Sequence, residues 1–474
     1  MPANSRLTFF RFFVGLVLLG LGALLAGGLV LALRGGSRAV TLQNGLTLRC
    51  LGTSYGTNHI AYVGSTAGQI LNRVLGLVFP RLRRNSPGLR TLTTPTPKLV
   101  AFFEEAGDAS TNRTAPVSLN AMLVDERGVA AGDRAWIALP MGNSGPAWLL
   151  SPQFDLIPRR SRTLSIQFST TGPDGRPELV GTLELPNPVF TNPPPFIAEP
   201  LPVSRTNGGL ECRLEALVFG TGISSRLSSN ADGSQTAGED AASPGAEVRA
   251  TAVFRFREQG TDTSSWTIGS LAVSDATGNA ARAGSYSSHS IPNGMILTFG
   301  PVPWPGEPWR LDGWAKRTAA ASYPPDELVT LRDVALPISG RTNQLEHAAK
   351  ASGIELVVKG FCRRTPVAGG GYSSEDLSRL MLEVMELPEG AFVDLVRAED
   401  DQGRALISDM TSTTHGTPLK MEFGFRSVPD DARTLSFTLA VHRGRLFTFL
   451  AQPQTVGTNG FEFTSQTPTS LRSE

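Results

Sequence analysis

The order of apolar and polar residues divides the chain into one uniformly apolar segment and a long remainder in which the two alternate. Residues 12–33 carry no charge over 22 positions. A helix of that length, at about 1.5 Å per residue, spans the ~30 Å hydrocarbon core of a bilayer. Beyond residue 40, short alternating stretches separated by Gly, Pro, Asn and Asp are typical of β-strands joined by turns. The chain is therefore predicted to be all-β after one N-terminal transmembrane helix.

The apolar segment is predicted to be an uncleaved, single-pass anchor in the lipid bilayer, preceded by a short tail at residues 1–11. It is longer than the apolar region of a cleaved signal peptide, which usually spans about 7–15 residues. Arg6 and Arg11 precede it, and Arg34 and Arg38 follow it, so the positive-inside rule favours neither orientation. Because a short internal tail and a large exported body are the ordinary arrangement, we expect the body on the exported side.

Three elements recur in the same order through the remainder. An opening Gly and aliphatic residue start a predicted first strand at Gly45, Gly209 and Gly353. An Asp-x-x-Gly sequence, which suits a tight turn between strands, begins at Asp125, Asp275 and Asp400. A closing strand precedes proline at residues 183–185, 334–336 and 447–450. The repetition predicts three tandem β-sandwich-like domains with an immunoglobulin or fibronectin-type architecture.

The predicted domains span residues 40–190, 206–338 and 345–455. Between the first two, residues 191–205 contain three consecutive prolines, which predict a stiff extended linker that holds the domains apart. The first domain is expected to contain a helical insertion near residues 66–80, and residues 343–352 are expected to form one or two helical turns. Residues 377–384 suit either a helix or a strand, and we favour a strand. Residues 224–245 are predicted to be a disordered loop, and residues 456–474 a flexible tail.

Composition and charge exclude several function classes. The 43 Lys and Arg residues balance the 42 Asp and Glu residues, which gives no overall field that would favour nucleic acid. The three cysteines, Cys50, Cys212 and Cys362, are odd in number and far apart, so they indicate small buried side chains and no disulfide framework. None of the five histidines has the spacing of a zinc site. We assign no catalytic residue, metal or cofactor.

Four local patterns are candidates for binding. Trp304, Trp309 and Trp314 are close in sequence and suit either stacking on sugar rings or core packing. An apolar stripe runs from residue 70 to 79, and basic residues lie in it and directly after it. These residues suit either anionic lipid headgroups or a solvated face, and they are Arg73, Arg81, Arg83 and Arg84. Thr66 occupies the position that serine takes in a nucleophile elbow. Acidic runs at residues 399–401 and 430–431 suit either calcium or turns.

The function that these features favour is a membrane-anchored scaffold or interaction module that binds a protein partner through its loops. Two alternatives remain open. One is a carbohydrate-binding surface module that uses the three tryptophans, and the other is an enzyme whose site is built across domains without a linear motif. Exposure of the tryptophans in one plane would favour the first alternative, and converging polar side chains the second.

Overall fold

The computed structural model describes the chain from residue 38 to residue 464 with gaps. The described ranges are residues 38–43, 45–62, 89–106, 117–126, 130–139, 149–172, 177–221, 223–229, 234–239, 248–282, 285–318, 323–364, 377–414, 418–455 and 461–464. These ranges do not include the predicted anchor or the predicted insertion at residues 66–80 with Thr66. The four arginines that lie in the insertion or follow it are also outside these ranges. Within them, no helix is long and apolar enough to cross a bilayer.

The regular secondary structure of the described residues is almost entirely β, as predicted. The first nine are β1 Ala39–Thr41, β2 Thr47–Tyr62, β3 Leu89–Ala106, β4 Val117–Val124, β5 Ala130–Leu139, β6 Leu149–Leu150, β7 Gln153–Phe154, β8 Thr163–Thr171 and β9 Pro177–Pro186. The next eleven are β10 Val203–Asn207, β11 Leu210–Thr221, β12 Ile223–Ser229, β13 Ser234–Glu239, β14 Val248–Glu258, β15 Thr261–Asp262, β16 Trp266–Ser274, β17 Ala280–Arg282, β18 Ser285–Ile291, β19 Gly294–Gly300 and β20 Trp309–Arg317.

The remaining strands follow one 3-10 turn at Pro325–Glu327. They are β21 Leu328–Ala335, β22 Thr342–Ala351, β23 Ile354–Cys362, β24 Ser378–Val384, β25 Ala391–Asp400, β26 Ser408–Thr414, β27 Leu419–Phe425, β28 Thr434–Arg443, β29 Arg445–Ala451, β30 Gln454–Thr455 and β31 Phe461–Thr464. The strand that we favoured at residues 377–384 is confirmed as β24.

Three pairs of sheets each enclose one large cluster of buried apolar side chains, and we call each pair a unit. Unit 1 joins the sheet β1-β2-β3-β6, with β7 also on β3, to the sheet β5-β4-β8-β9. Unit 2 joins β10-β11-β14-β19-β18, which also carries β15 and β30, to β17-β16-β20-β29. Unit 3 joins β22-β23-β24-β27-β26 to β21-β28-β25. Strands β12, β13 and β31 form a separate small sheet.

The recurring Gly and aliphatic residue lie at a hairpin turn in every unit. Gly45, Gly209 and Gly353 have φ values of +80°, +81° and +80°. A side chain disfavours this left-handed backbone, which explains why glycine stands at all three turns. Each glycine therefore opens the second strand of a hairpin, and the expectation that it opens the first strand is wrong. The strands that come before it are β1, β10 and β22.

The Asp-x-x-Gly sequences at Asp275 and Asp400 are confirmed as turns, and the first of these joins β16 to β17. Asp125 follows β4, which pairs with β5, but residues 127–129 of its sequence lie outside the described residues. After Asp400 the chain returns through a single bridge between Glu399 and Ala405. In the second turn the Asp275 carboxylate accepts hydrogen bonds from the backbone N–H groups two and four residues later, and Asp400 does the same in the third.

The closing strands of the second and third repeats are exchanged between units, which corrects the prediction that each stays in its own copy. Strand β21 pairs with β28 of unit 3, and Leu331 and Val334 on it belong to the unit 3 core. Strand β29 pairs with β20 of unit 2. Phe449 on β29 packs against Phe254 of unit 2, with ring centroids 6.2 Å apart.

The length of one connection explains the exchange. Only Gly444 separates β28 from β29. An antiparallel hairpin needs about two residues to reverse the chain, so β29 cannot fold back beside β28. The chain instead continues forward out of unit 3 and into the sheet of unit 2. In unit 1, where residues 172–176 separate β8 from β9, the closing strand does pair with its own neighbour.

Three further predictions from composition differ from the structure. Residues 343–352 lie in and beside β22, because pairing with β23 outweighs the helical preference of their Ala, Glu and Lys residues. Residues 224–245 were expected to be disordered, yet they contain most of β12 and all of β13, which pair with each other. The flexible tail also contributes a strand, because β31 pairs with β13.

Replacement of Phe447 on β29 by Ala should destabilise unit 2, although the residue follows unit 3 in sequence. Phe447 is 2% exposed in the unit 2 core, and removal of a buried Phe side chain costs about 3–5 kcal/mol. Hydrogen exchange measured by mass spectrometry should show faster exchange first in β11 and β14. The neighbouring Leu446→Ala is the control, because Leu446 is 36% exposed. Loss of protection first in β23 and β24 would contradict the exchange.

Candidate functional site

A cluster of polar side chains lies where the chain crosses from unit 3 to unit 2. Asp394 on β25 accepts hydrogen bonds from Lys316 on β20, at 2.5 Å, and from His442 Nε2 on β28, at 3.0 Å. Lys316 belongs to unit 2, whereas Asp394 and His442 belong to unit 3. One carboxylate oxygen therefore connects the two units, and the other holds His442 within unit 3.

His442 is buried, but it does not belong to the unit 3 core cluster. Side chains alternate along a strand, so the residue after Val441, which points into the unit 3 core, points away from it. The imidazole is nevertheless 1% exposed, with the Tyr323 ring centroid at 5.2 Å and the Phe392 ring centroid at 5.9 Å. Its Nε2 donates to Asp394, and its buried Nδ1 has no hydrogen-bond partner.

Electrostatics favours the ionised form of Asp394. Burial alone would raise the pKa of this carboxyl, but the hydrogen bond from His442 and the charge and hydrogen bond of Lys316 together lower it. The same environment, mainly through burial, raises the pKa of Tyr323 to about 12. Tyr323 therefore stays protonated, and the cluster holds one carboxylate against one ammonium group at neutral pH.

Three glycines allow the units to approach closely at this crossing. A Cβ atom on Gly444 would lie 2.5 Å from the carbonyl oxygen of Ala315 and 2.7 Å from Cε2 of Phe392. A side chain on Gly269 would collide with the Phe392 ring, and one on Gly390 with the Trp314 ring. The backbone N–H of Gly444 also donates a hydrogen bond to the carbonyl oxygen of Gly390 at 2.7 Å. The arrangement is suited to locking two units together.

The junction between units 1 and 2 is built from reciprocal contacts. Asn279, after the Asp275 turn of unit 2, donates to the carbonyl of Ile157 at 2.8 Å and accepts from its N–H at 3.1 Å. In the opposite direction, Trp304 Nε1 of unit 2 donates to the carboxylate of Asp125 at 2.9 Å. Ile157 lies in the loop before β8 of unit 1, and Trp304 lies in the equivalent loop before β20 of unit 2. In each unit this loop contacts the Asp-x-x-Gly sequence of the other unit.

Contacts around this junction show that the proline-rich segment does not hold the two units apart. Arg160 of unit 1 makes two hydrogen bonds to Glu307 of unit 2, at 3.0 and 2.6 Å. The same guanidinium donates to Asn192 and to the carbonyl of Pro193. The segment at residues 191–205 is thus fastened to unit 1, and the prediction that it separates the domains is wrong because buried polar groups across the junction pair directly.

The three tryptophans do not form one exposed plane. Trp309 is fully buried in the unit 2 core. Trp304 packs with Leu156 and Ala281 at the junction with unit 1, and Trp314 packs on Gly390 at the crossing to unit 3. The odd spacing of Trp309 and Trp314 on one strand already placed them on opposite faces. The structure therefore does not supply the stacking platform on which the carbohydrate alternative depends.

The acidic runs of the third repeat converge, but an arginine lies between them. Arg404 contacts Asp400 at 2.5 Å and Asp431 at 2.6 Å. Asp431 accepts a hydrogen bond from Arg404, and this bond is the main reason that the pKa of the Asp431 carboxyl is lowered to about 2. Arg404 supplies the positive charge that calcium would bring. No group of three or more potential metal-ligating side chains occurs among the residues that the structure describes.

The cysteines are unpaired, and Cys212 is buried in the unit 2 core as a small apolar side chain. Burial raises the pKa of Cys212 and of Cys50, which disfavours the reactive thiolate. These environments agree with the prediction from sequence that the cysteines are small buried side chains.

Sequence reasoning missed Lys316, Asp394 and His442 as a group. They are 126 residues apart at the extremes and come together only because strands are exchanged. The one local signal is the alternation along β28, which places His442 on the side away from the core. The chain matches no protein-family model and no curated protein.

Asp394→Asn should weaken the crossing between units 2 and 3. The variant leaves Lys316 without its carboxylate partner, which should lower the free energy of unfolding by roughly 1–3 kcal/mol at neutral pH. Because the folded pKa of Asp394 is lowered, its contribution is present above the ordinary aspartate value of 3.8 and is lost as the pH falls through the folded value. Acidification from about pH 6 to about pH 3 should therefore lower the melting temperature of the wild type more than that of the variant.

The exposed Asp430→Asn is the matched control, because it removes a carboxylate of the same unit outside the crossing. It should leave the acid dependence of the wild type unchanged. Equal acid dependence in the wild type and in Asp394→Asn would show that the Asp394 pairs do not stabilise the folded chain.

Proposed function

We propose that this chain is a membrane-anchored scaffold in which three tandem β-sandwich domains hold interaction loops at fixed positions relative to the bilayer. The three units are the domains, and their immunoglobulin or fibronectin-type architecture serves as a spacer. The loops at the domain ends bind a protein partner.

The observation that carries this proposal is the passage of the chain from β28 to β29 through Gly444. Hinge motion between domains is the default when a small polar interface is joined by a linker. Here a change in the angle between units 2 and 3 must break the pairing of β29 with β20 or that of β21 with β28. Each pairing consists of a backbone ladder, so the strand exchange favours a fixed geometry.

The junction between units 1 and 2 supports the same role. Asn279, Glu307 and Asp125 are each less than 10% exposed and make polar contacts across it. Rotation of one unit against the other would leave buried polar groups without partners, which costs about 1–3 kcal/mol for each group. Such contacts fix orientation more than they add stability, as a spacer requires.

The anchor in this proposal is the apolar segment at residues 12–33, with the body on the exported side. The helix explains how a fixed array of domains acquires a defined height above a membrane. Arg73, Arg81, Arg83 and Arg84 follow closely in sequence and are proposed to contact anionic headgroups.

Distance measurements by pulsed electron paramagnetic resonance test the fixed geometry. Spin labels at the exposed positions Ser204 and Glu346 would report on units 2 and 3, with the partly exposed Cys50 and Cys362 replaced by Ala. The wild type should give one narrow distance distribution. Four residues inserted after Gly444 should broaden it, because they give β29 room to fold back. The same insertion after Gly260, in a turn of unit 2, should not. A broad distribution in the uninserted chain would overturn the scaffold proposal.

Cell fractionation tests the anchor. The full chain should remain in the membrane fraction after carbonate extraction, and a variant without residues 12–33 should be released. With an epitope after Glu474, protease added to sealed spheroplasts should remove the tag. A tag that is protected until the membrane is lysed would place the body on the opposite side from the one proposed.

A further inference from the structure

A buried histidine outside both junctions belongs to a chain of three hydrogen bonds in the β2–β3 hairpin. Ser54 Oγ lies 2.7 Å from His59 Nδ1, and Thr94 Oγ1 lies 3.4 Å from His59 Nε2. The Thr94 hydroxyl also lies 2.7 Å from the carbonyl oxygen of Thr96 and 3.3 Å from that of Gly56. The scaffold role uses none of these contacts.

The direction of each hydrogen bond follows from chemistry. The carbonyls of Thr96 and Gly56 only accept, so the Thr94 hydroxyl donates its single proton to them. Its oxygen is then the acceptor for His59 Nε2–H. A neutral imidazole with its proton on Nε2 has a lone pair on Nδ1, so Ser54 donates its hydroxyl proton there. This is the arrangement in which a histidine acts as the base for a serine nucleophile, with a third group orienting the base.

A bulge brings the serine and the histidine to the same face of the sheet. Residues five apart on a regular strand point to opposite faces. The register between β2 and β3 shifts between Gly56 and Asn58, where Thr57 of β2 lies opposite residues 94–97 of β3, and at this irregularity Ser54 and His59 come to share a face. Gly56 has a φ of +139°, which a side chain would disfavour. Bulges occur frequently beside active sites, where they re-aim a side chain.

The surroundings keep His59 neutral and place a buried apolar cluster beside Ser54. His59 is 1% exposed, and this burial lowers its pKa below the ordinary 6.5 against the opposing effect of hydrogen bonds to the backbone of Gly56 and of Ser54. Ser54 is partly exposed and pairs across the strands with Val100. Val100 forms an apolar cluster with Ala61 and Phe102, against which Leu92, the cross-strand partner of His59, packs.

We propose that Ser54 is a nucleophile for acyl transfer from carboxylic esters, with His59 as its general base. Ser54 Oγ attacks the ester carbonyl carbon while its proton moves to His59 Nδ1. The bond to the leaving oxygen then breaks, and His59 returns the proton to the departing alcohol. Water attacks the acyl-serine through the same base, releases the carboxylic acid and restores the Ser54 hydroxyl. No oxidant, reductant or metal is needed.

Acylation of the full-length chain in detergent micelles by p-nitrophenyl butyrate tests this inference. The wild type should release nitrophenolate, and peptide mass spectrometry should locate one butyryl group on Ser54. Ser54→Ala should abolish that adduct, whereas Ser204→Ala, at an exposed serine of β10, should leave it unchanged. His59→Gln should slow acylation about 100-fold or more, as loss of a general base does. In the wild type, the rate should fall on acidification with an apparent pKa below 6.5.

Melting curves for each variant establish that a lost adduct is not the result of unfolding. Butyryl groups spread over lysines and several serines, with Ser54→Ala reacting as fast as the wild type, would overturn the proposal. A folded His59→Gln that acylates at the wild-type rate would overturn the role of the base. Neither result would bear on the scaffold role, which the distance measurements test separately.

Discussion

A β-strand that runs past the edge of its own sheet must find backbone partners elsewhere, because unpaired N–H and C=O groups inside a protein are costly. Strand β29 is in this position, since one residue does not suffice to turn it back beside β28. It finds its partners on β20, and β21 fills the place that β29 leaves in unit 3. The position of His442 beside Lys316, the contact of Trp314 with Gly390 and the shared core of Phe254 and Phe449 all depend on this exchange.

The two junctions solve the same problem by different means. At the crossing between units 2 and 3, backbone ladders supply most of the attachment, and the carboxylate of Asp394 fixes the local geometry. Among the residues that the structure describes, units 1 and 2 share no strand, so orientation depends on side chains such as Asn279 and Arg160. In unit 3 the corresponding turn and loop are joined by Arg404, which pairs within its own unit.

Local features of the fold were predictable from the sequence, whereas the pairing of distant strands was not. Alternation identified strands such as β8 and β28, and the Asp-x-x-Gly sequence at Asp275 identified a turn, because both signals lie within a few residues. The same local reasoning failed for residues 343–352, whose composition favours a helix but whose cross-strand partners decide otherwise. The exchange of β21 and β29 has no composition signal, although the one-residue connection at Gly444 limits the possible topologies.

The residues of the candidate site also divide into those that local sequence signals could place and those that depend on distant strand pairing. The spacing of Trp309 and Trp314 was sufficient to place their side chains on opposite faces of one strand. Strand alternation alone would therefore have excluded a flat sugar-stacking surface made of both rings. Lys316, Asp394 and His442 were beyond the sequence, because their proximity follows from the exchange. Ser54 and His59 were also hidden, since their odd spacing puts them apart until the bulge at Gly56 is known.

The exchange also sets an order of events during biosynthesis. A ribosome makes the chain from the N-terminus, and domains ordinarily fold as they emerge. Unit 1 contains all of its strands by residue 186, but the core of unit 2 lacks Phe447 and Phe449 until residues 445–451 have been made. Unit 2 therefore waits for nearly the whole polypeptide. Units 2 and 3 mature together as one cooperative step, and a truncated product that stops before β29 exposes the unfinished edge of β20.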